Sequence, residues 1–238
     1  EFPDGVESPT QYGKGVKALA VYLTGYQLLP YERTSEIFKD CFECFISEGS
    51  IPTIVEECYE GLEETEEKIK EKIRQAAVAH FDETGMRVEE RVHWVHVSST
   101  ENLTNYGLHK KRGKEGMDAI GILPKFSGIA VHDGLSSYQH YGGQHGLCNG
   151  HHLRELIFVE EQYRQEWASE MRELLLASKK DVEQAKAAGA VELGGEQVMR
   201  YEERYEWLIA KGYQTNQVFK IEARRRGRKK QSKARKLL

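Results

Sequence analysis

Cysteine is scarce in this chain, with four residues in 238, at positions 41, 44, 58 and 148. They are too few for the disulfide framework of a small secreted protein, and a reducing cytoplasm fits best. Long apolar runs are absent as well. The stretch around Ala18 to Leu23 falls far short of the roughly 20 residues that span a bilayer. No basic, apolar, small-residue leader opens the chain, so neither secretion nor a membrane partner is indicated. The opening EFPDGVESPTQYGKG, with its Pro, Gly and Ser, reads as a loose lead-in over 1–16, as at the cut edge of a longer protein.

What is present suits a globular protein with an ample core: 39% hydrophobic and 30% charged residues, enough for one large domain or two small ones. The net charge of −4 hides an asymmetry. Residues 220–238, KIEARRRGRKKQSKARKLL, carry ten Lys/Arg against Glu222 alone, which leaves 24 basic and 37 acidic residues elsewhere. Such a basic tail suits contact with nucleic acid or another anionic surface, with Arg224, Arg225, Arg226, Arg228, Lys229 and Lys230 the densest cations. A solvated tail is the alternative.

Residues 17–75 carry apolar groups at helical spacing: VKALAVYLTGYQLLP up to Pro30, TSEIFKDCFECF, and the longer SIPTIVEECYEGLEETEEKIKEKIRQ with its Glu/Lys face. The second and third runs could form a helix-turn-helix, but Glu56, Glu57, Glu60, Glu63 and Glu64 would repel phosphates. Cys41 and Cys44 resemble half a zinc site without a second pair, so packing in a core is expected of them. From residue 76 the period switches to strands. One is expected at 77–82, a meander over 91–100 and 104–113, a single helix in GKEGMDAIGILPKF, and a short strand in SGIAVHDG. A Gly/Tyr/His loop and the helix LCNGHHLRELIFVEEQY follow, then a helical hairpin over 161–219.

Two apolar strands thus run out on acids, Asp82 and Asp133. If the second returns beside the first through a crossover, the two are parallel and both acids reach one sheet edge. Adjacent carboxylates repel unless a cation lies between them. A hard divalent ion such as Mg²⁺ suits oxygen ligands, and a pair of such ions can activate an attacking oxygen and stabilise a leaving one. Two turn acids are the alternative, since Asp before Gly is a common turn signal. His80 shares the Asp82 face by alternation and is expected to be its hydrogen-bonded neighbour rather than a ligand. Cys148, His151 and His152 cluster, with packing and positioning expected of them rather than zinc binding.

The segments HFDETGMRV, WVHVSSTENLTNYGLHKKRG, AIGILPKFSGIAVHDGLSSY and LCNGHHLREL resemble, in order and spacing, the catalytic segment of insertion sequence 66 family transposases. The likeness extends from PDGVESPTQYG to RGRKKQSKARKLL. It implies an α/β fold with a ribonuclease-H-like mixed sheet over 76–160, an N-terminal helical region at 17–75, a helical insertion at 161–219 and a basic tail at 220–238. It also implies DDE chemistry: Asp82 and Asp133 as catalytic, Mg²⁺-binding acids, and a Cys-x-x-His element at Cys148 and His151. DNA, transposon ends and target, would be the partner, bound by a homo-oligomer in the cytoplasm at the nucleoid. The family's third acid resembles a glutamate in an Asn-x-x-Glu-Arg segment, which is not found before Leu238. The chain is therefore expected to be an incomplete catalytic region, or else an inactive DNA-binding or regulatory remnant.

Overall fold

The computed structural model describes residues 11–217 and 232–238. The six cations from Arg224 to Lys230 named above lie outside the described residues.

The N-terminal part is helical. Helix α1 (Lys14–Val21) runs on into a π-helical turn (Tyr22–Tyr26) and is followed by α2 (Tyr31–Phe42), α3 (Ser50–Gly61) and α4 (Glu63–Arg74). The single long helix expected after residue 50 is thus broken at Gly61–Leu62. Ala20, Phe38, Ile46, Ile51 and Ile54 form this region's buried cluster. Cys41 is exposed on α2, contrary to the expectation of a packed core cysteine, while Cys44 is half-buried.

Five strands form one sheet in the order β3-β2-β1-β4-β5: β1 (Val78–Val88), β2 (Arg91–Ser99), β3 (Thr104–His109), β4 (Ile129–His132) and β5 (Gln144–Leu147). The first three pair antiparallel, whereas β1/β4 and β4/β5 are parallel. This is the mixed ribonuclease-H-like sheet.

The first strand differs from its expected span. It does not end at Asp82 but continues to Val88, because β2 covers it through to the Val88↔Arg91 pair. Gly85, a residue that often interrupts a strand, lies within it. That residue pairs with Trp94, whose ring lies 3.7 Å from where a Cβ would stand, so the missing side chain makes room for an indole. The hairpin closes on Glu89 and Glu90, at φ 49° and 64°, a primed turn made without Asn or Gly.

Between β3 and β4 lie α5 (Lys114–Ile120) and a 3₁₀ turn (Leu123–Lys125), two pieces rather than one helix. Gly121, at φ 74°, divides them in the left-handed cap conformation glycine favours. Ile73, Ala79, Phe81, Met117, Ile122, Phe126, Ala130 and Tyr138 form the core on this face of the sheet. The expected Gly/Tyr/His loop holds a 3₁₀ turn (Ser136–His140) and the fifth strand.

Helix α6 (Asn149–Tyr163) then leads to the hairpin of α7 (Glu166–Ala187) and α8 (Gly195–Thr215). Leu156, Val159, Trp167, Ala168, Met171 and Leu208 are buried together, with Ala234 of α9 (Lys233–Leu237) completing the cluster. Val182 of α7 and Tyr205 of α8 are exposed apolar positions on the hairpin. Among the described residues, no helix is long and apolar enough to cross a membrane.

Candidate metal centre

Strand β1 alternates strictly over its first half. Ala79, Phe81 and Glu83 point into the core, while Val78, His80, Asp82 and Thr84 face outward. Asp82 therefore stands exposed in mid-strand, two residues beyond the last β1/β4 pair, His80↔Val131. That pairing has a constant offset of 51 residues (Val78↔Ile129, Ala79↔Ala130). Carried two residues on, it places Asp133, just past the end of β4, opposite Asp82. One ligand atom each from Asp82, Asp133 and His151 lies within 4.8 Å of the other two. Among the described residues, no other His, Cys, Asp or Glu joins a group of this kind.

Backbone donors hold both carboxylates. The Glu83 N–H donates to Asp82 Oδ1 at 2.9 Å, and the Leu135 N–H donates to Asp133 Oδ1 at 2.9 Å. Arg112 reaches Asp133 Oδ2 at 3.3 Å from one guanidinium nitrogen and Glu83 Oε2 at 3.3 Å from another. Its guanidinium lies 5.0 Å from the Trp94 ring centre, so the indole seated over Gly85 helps fix it.

Glu83 is the buried acid beneath the pair, with its side chain 1% exposed. Burial pushes its carboxyl above the usual range, partly opposed by hydrogen bonds from the Tyr138 hydroxyl and Arg112. Burial also pushes the Tyr138 phenol up, reinforced by its bond to Glu83. The Tyr138 ring stacks on His132 at 4.1 Å and 9°. A chain of hydrogen bonds fixes the tautomers of two histidines. The Gly134 N–H donates to His132 Nδ1, so His132 Nε2 carries the proton and donates to His145 Nδ1 at 3.0 Å. His145 Nε2–H then donates to the Tyr141 carbonyl at 3.1 Å. Burial holds His132 below the usual histidine range, followed by the neighbouring His145.

His151 enters the group because α6 begins at the sheet edge. Cys148 is its N-cap residue, and the Cys148 carbonyl accepts the N–H groups of His151 at 3.0 Å and His152 at 3.2 Å. The two halves of the Cys-x-x-His element therefore part company: Cys148 shapes the turn, and His151 faces the acids. His151 Nδ1 is buried without a hydrogen-bond partner. His80 is exposed and makes no hydrogen bond to Asp82, against expectation. Glu155 and Glu161 are exposed, and Glu160 pairs with Arg172 at 3.0 Å. Glu83, Arg112 and Tyr138 were not singled out from the sequence, although the alternation of β1 already turns Glu83 inward.

The mixed sheet, with two aspartates where its antiparallel and parallel halves meet, defines a ribonuclease-H-like domain with a compact Asp/Asp/His group. Residues 9–238 match the family described as Transposase IS66 family, and the chain belongs to that family. No curated protein matches the chain.

Proposed function

We propose that this chain is a DNA transposase catalytic region, built for metal-dependent phosphodiester cleavage and strand transfer. The observation that carries the reading is the convergence of Asp82, Asp133 and His151 at one sheet edge. The donor set fits a divalent ion such as Mg²⁺ or Mn²⁺. Octahedral ligands at about 2.1 Å lie about 3 to 4 Å apart, within reach of small side-chain rotations from the present spacing. The orphaned Nδ1 of His151 also supports a missing partner in this region.

Asp82 and Asp133 would each offer an oxygen while the other is steadied by a backbone N–H. His151 would offer a nitrogen in place of a third carboxylate. A divalent ion held there supplies activation of the attacking oxygen and neutralises charge on the leaving one. Arg112 balances the acids and orients Asp133. Glu83 and Tyr138 brace that guanidinium from the core side.

A second reading, an inactive DNA-binding or regulatory remnant, draws on the absence of a third carboxylate from the group among the described residues. Two carboxylates fix in-line geometry poorly, and a misplacement of about 1 Å costs on the order of a hundredfold in rate. Incubation of labelled duplex DNA with the chain and Mg²⁺ or Mn²⁺ separates the readings. DNA binding with slow nicking that is lost in both Asp82→Asn and Asp133→Asn is expected. Nicking that survives both substitutions, or no DNA binding at all, refutes the proposal; binding without any nicking leaves the remnant.

A further inference from the structure

One face of α6 starts in the metal centre and leads away from it. His151, Arg154, Glu155 and Phe158 follow one another at i, i+3, i+4 and i+7, the spacing of a single helix face. They line an open cleft of about 450 Å³ whose other wall is α9, with Lys233 and Lys236. From His151 to Phe158 the helix rises about 10 Å, so the cleft is a track running out of the acidic group.

Its charges are available. Arg154, Lys233 and Lys236 are exposed and form no ion pair among the described residues. Three hairpin cations differ, Arg172, Arg204 and Lys211, each tied to a glutamate, whereas Lys180 and Lys186 on the far part of α7 are also unpaired among the described residues and so serve as a control. Lys233 is held over the Phe158 ring at 4.2 Å, an arrangement that positions the ammonium without neutralising it. Helix α9 is itself anchored, with Ala234 fully buried and Ser232 Oγ accepting from the Arg235 N–H at 3.1 Å. Among the described lining residues, three unpaired cations against Glu155 make a positive groove that abuts a negative centre.

We infer that the α6–α9 cleft is the track for one DNA strand, whose phosphates lie between Arg154 on one wall and Lys233 and Lys236 on the other as it enters the Asp82/Asp133/His151 group. The inference rests on the proposed transposase reading and adds the path of the substrate. Charge complementarity selects a phosphodiester chain over an apolar or cationic partner.

The test is fluorescence anisotropy of a labelled single-stranded oligonucleotide on the full 238-residue chain at several salt concentrations. Two triple variants are compared, Arg154→Gln/Lys233→Gln/Lys236→Gln and the charge-matched Lys179→Gln/Lys180→Gln/Lys186→Gln on the exposed far part of α7. The cleft variant is expected to bind about tenfold or more weakly, with a log–log salt slope shallower by about 2. The α7 variant should stay within about twofold of the parent. A second measurement does not depend on affinity: a photoreactive benzoylphenylalanine at position 236 should cross-link to the bound strand, and one at position 180 should not. Equal losses in the two triple variants, or no loss and no cross-link at 236, overturn the cleft while leaving DNA binding intact. No DNA binding by the parent chain overturns the transposase reading and the cleft together.

Discussion

Replacing Tyr138 by Phe removes one oxygen from the core and little else. The ring is 1% exposed, stacked on His132 and tilted against Phe81 at 6.5 Å, and phenylalanine keeps these contacts. What is lost is the hydroxyl's hydrogen bond to the Glu83 carboxylate, leaving that buried acid with the Arg112 bond at 3.3 Å as its remaining side-chain partner. A hydrogen bond to a charged group contributes about 1.5–3 kcal/mol. At 2–4 °C per kcal/mol for a chain of this size, Tm should fall by about 3–12 °C. Urea unfolding should show a lower midpoint with an unchanged slope. In a double-mutant cycle with Glu83→Gln, a coupling energy of about 1 kcal/mol or more is expected. A Tyr138→Phe protein within about 0.5 kcal/mol of the parent, or a coupling energy near zero, would show that the hydroxyl does not support Glu83.

Other substitutions test the frame around the site. Gly128→Ala would set a Cβ 2.4 Å from the Ala76 carbonyl oxygen and 2.5 Å from that of Ala77, backbone that cannot rotate away. It should cost about 3 kcal/mol and spread β4 from β1, seen as a lower urea midpoint together with weaker metal binding. At the hairpin, Lys211, followed by Arg204, holds the Glu170 carboxyl below its usual range. A lowered carboxylate stabilises the fold above its unfolded pKa and loses that contribution as pH falls through the folded value. Glu170→Gln should therefore lower Tm slightly at neutral pH, by an amount that fades as pH falls through the acid range and that shrinks in about 1 M salt.

Much of the frame is legible in the sequence, and the misreadings have physical causes. The approach of Asp82 and Asp133 follows from two apolar strands, a crossover and the right-handed rule, and their equal register offset makes the approach close. The true length of β1 was hidden by Gly85, which alone reads as a breaker and here accommodates Trp94, and by a turn of two glutamates in conformations usually left to Asn and Gly. Strand β5, QHGL, has neither apolar alternation nor branched residues, so its strand character comes from pairing with β4. Glu83 reads as one more surface acid beside Asp82 until alternation turns it inward. His151 could not be joined to the acids from spacing alone, because its place depends on where α6 meets the sheet edge.

Whether Asp82, Asp133 and His151 hold a divalent ion is decided by titration of the chain with Mn²⁺, followed by calorimetry and by loss of the free-ion electron paramagnetic resonance signal. A saturable site is expected in the parent chain. Affinity should fall at least about tenfold in Asp82→Asn and in Asp133→Asn, comparable to or beyond the loss seen when a supporting residue is removed. His151→Ala should weaken it as well, and Glu155→Gln should not. Binding that is absent in the parent, or unchanged by both aspartate substitutions, would contradict the assignment of this sheet edge as a metal centre.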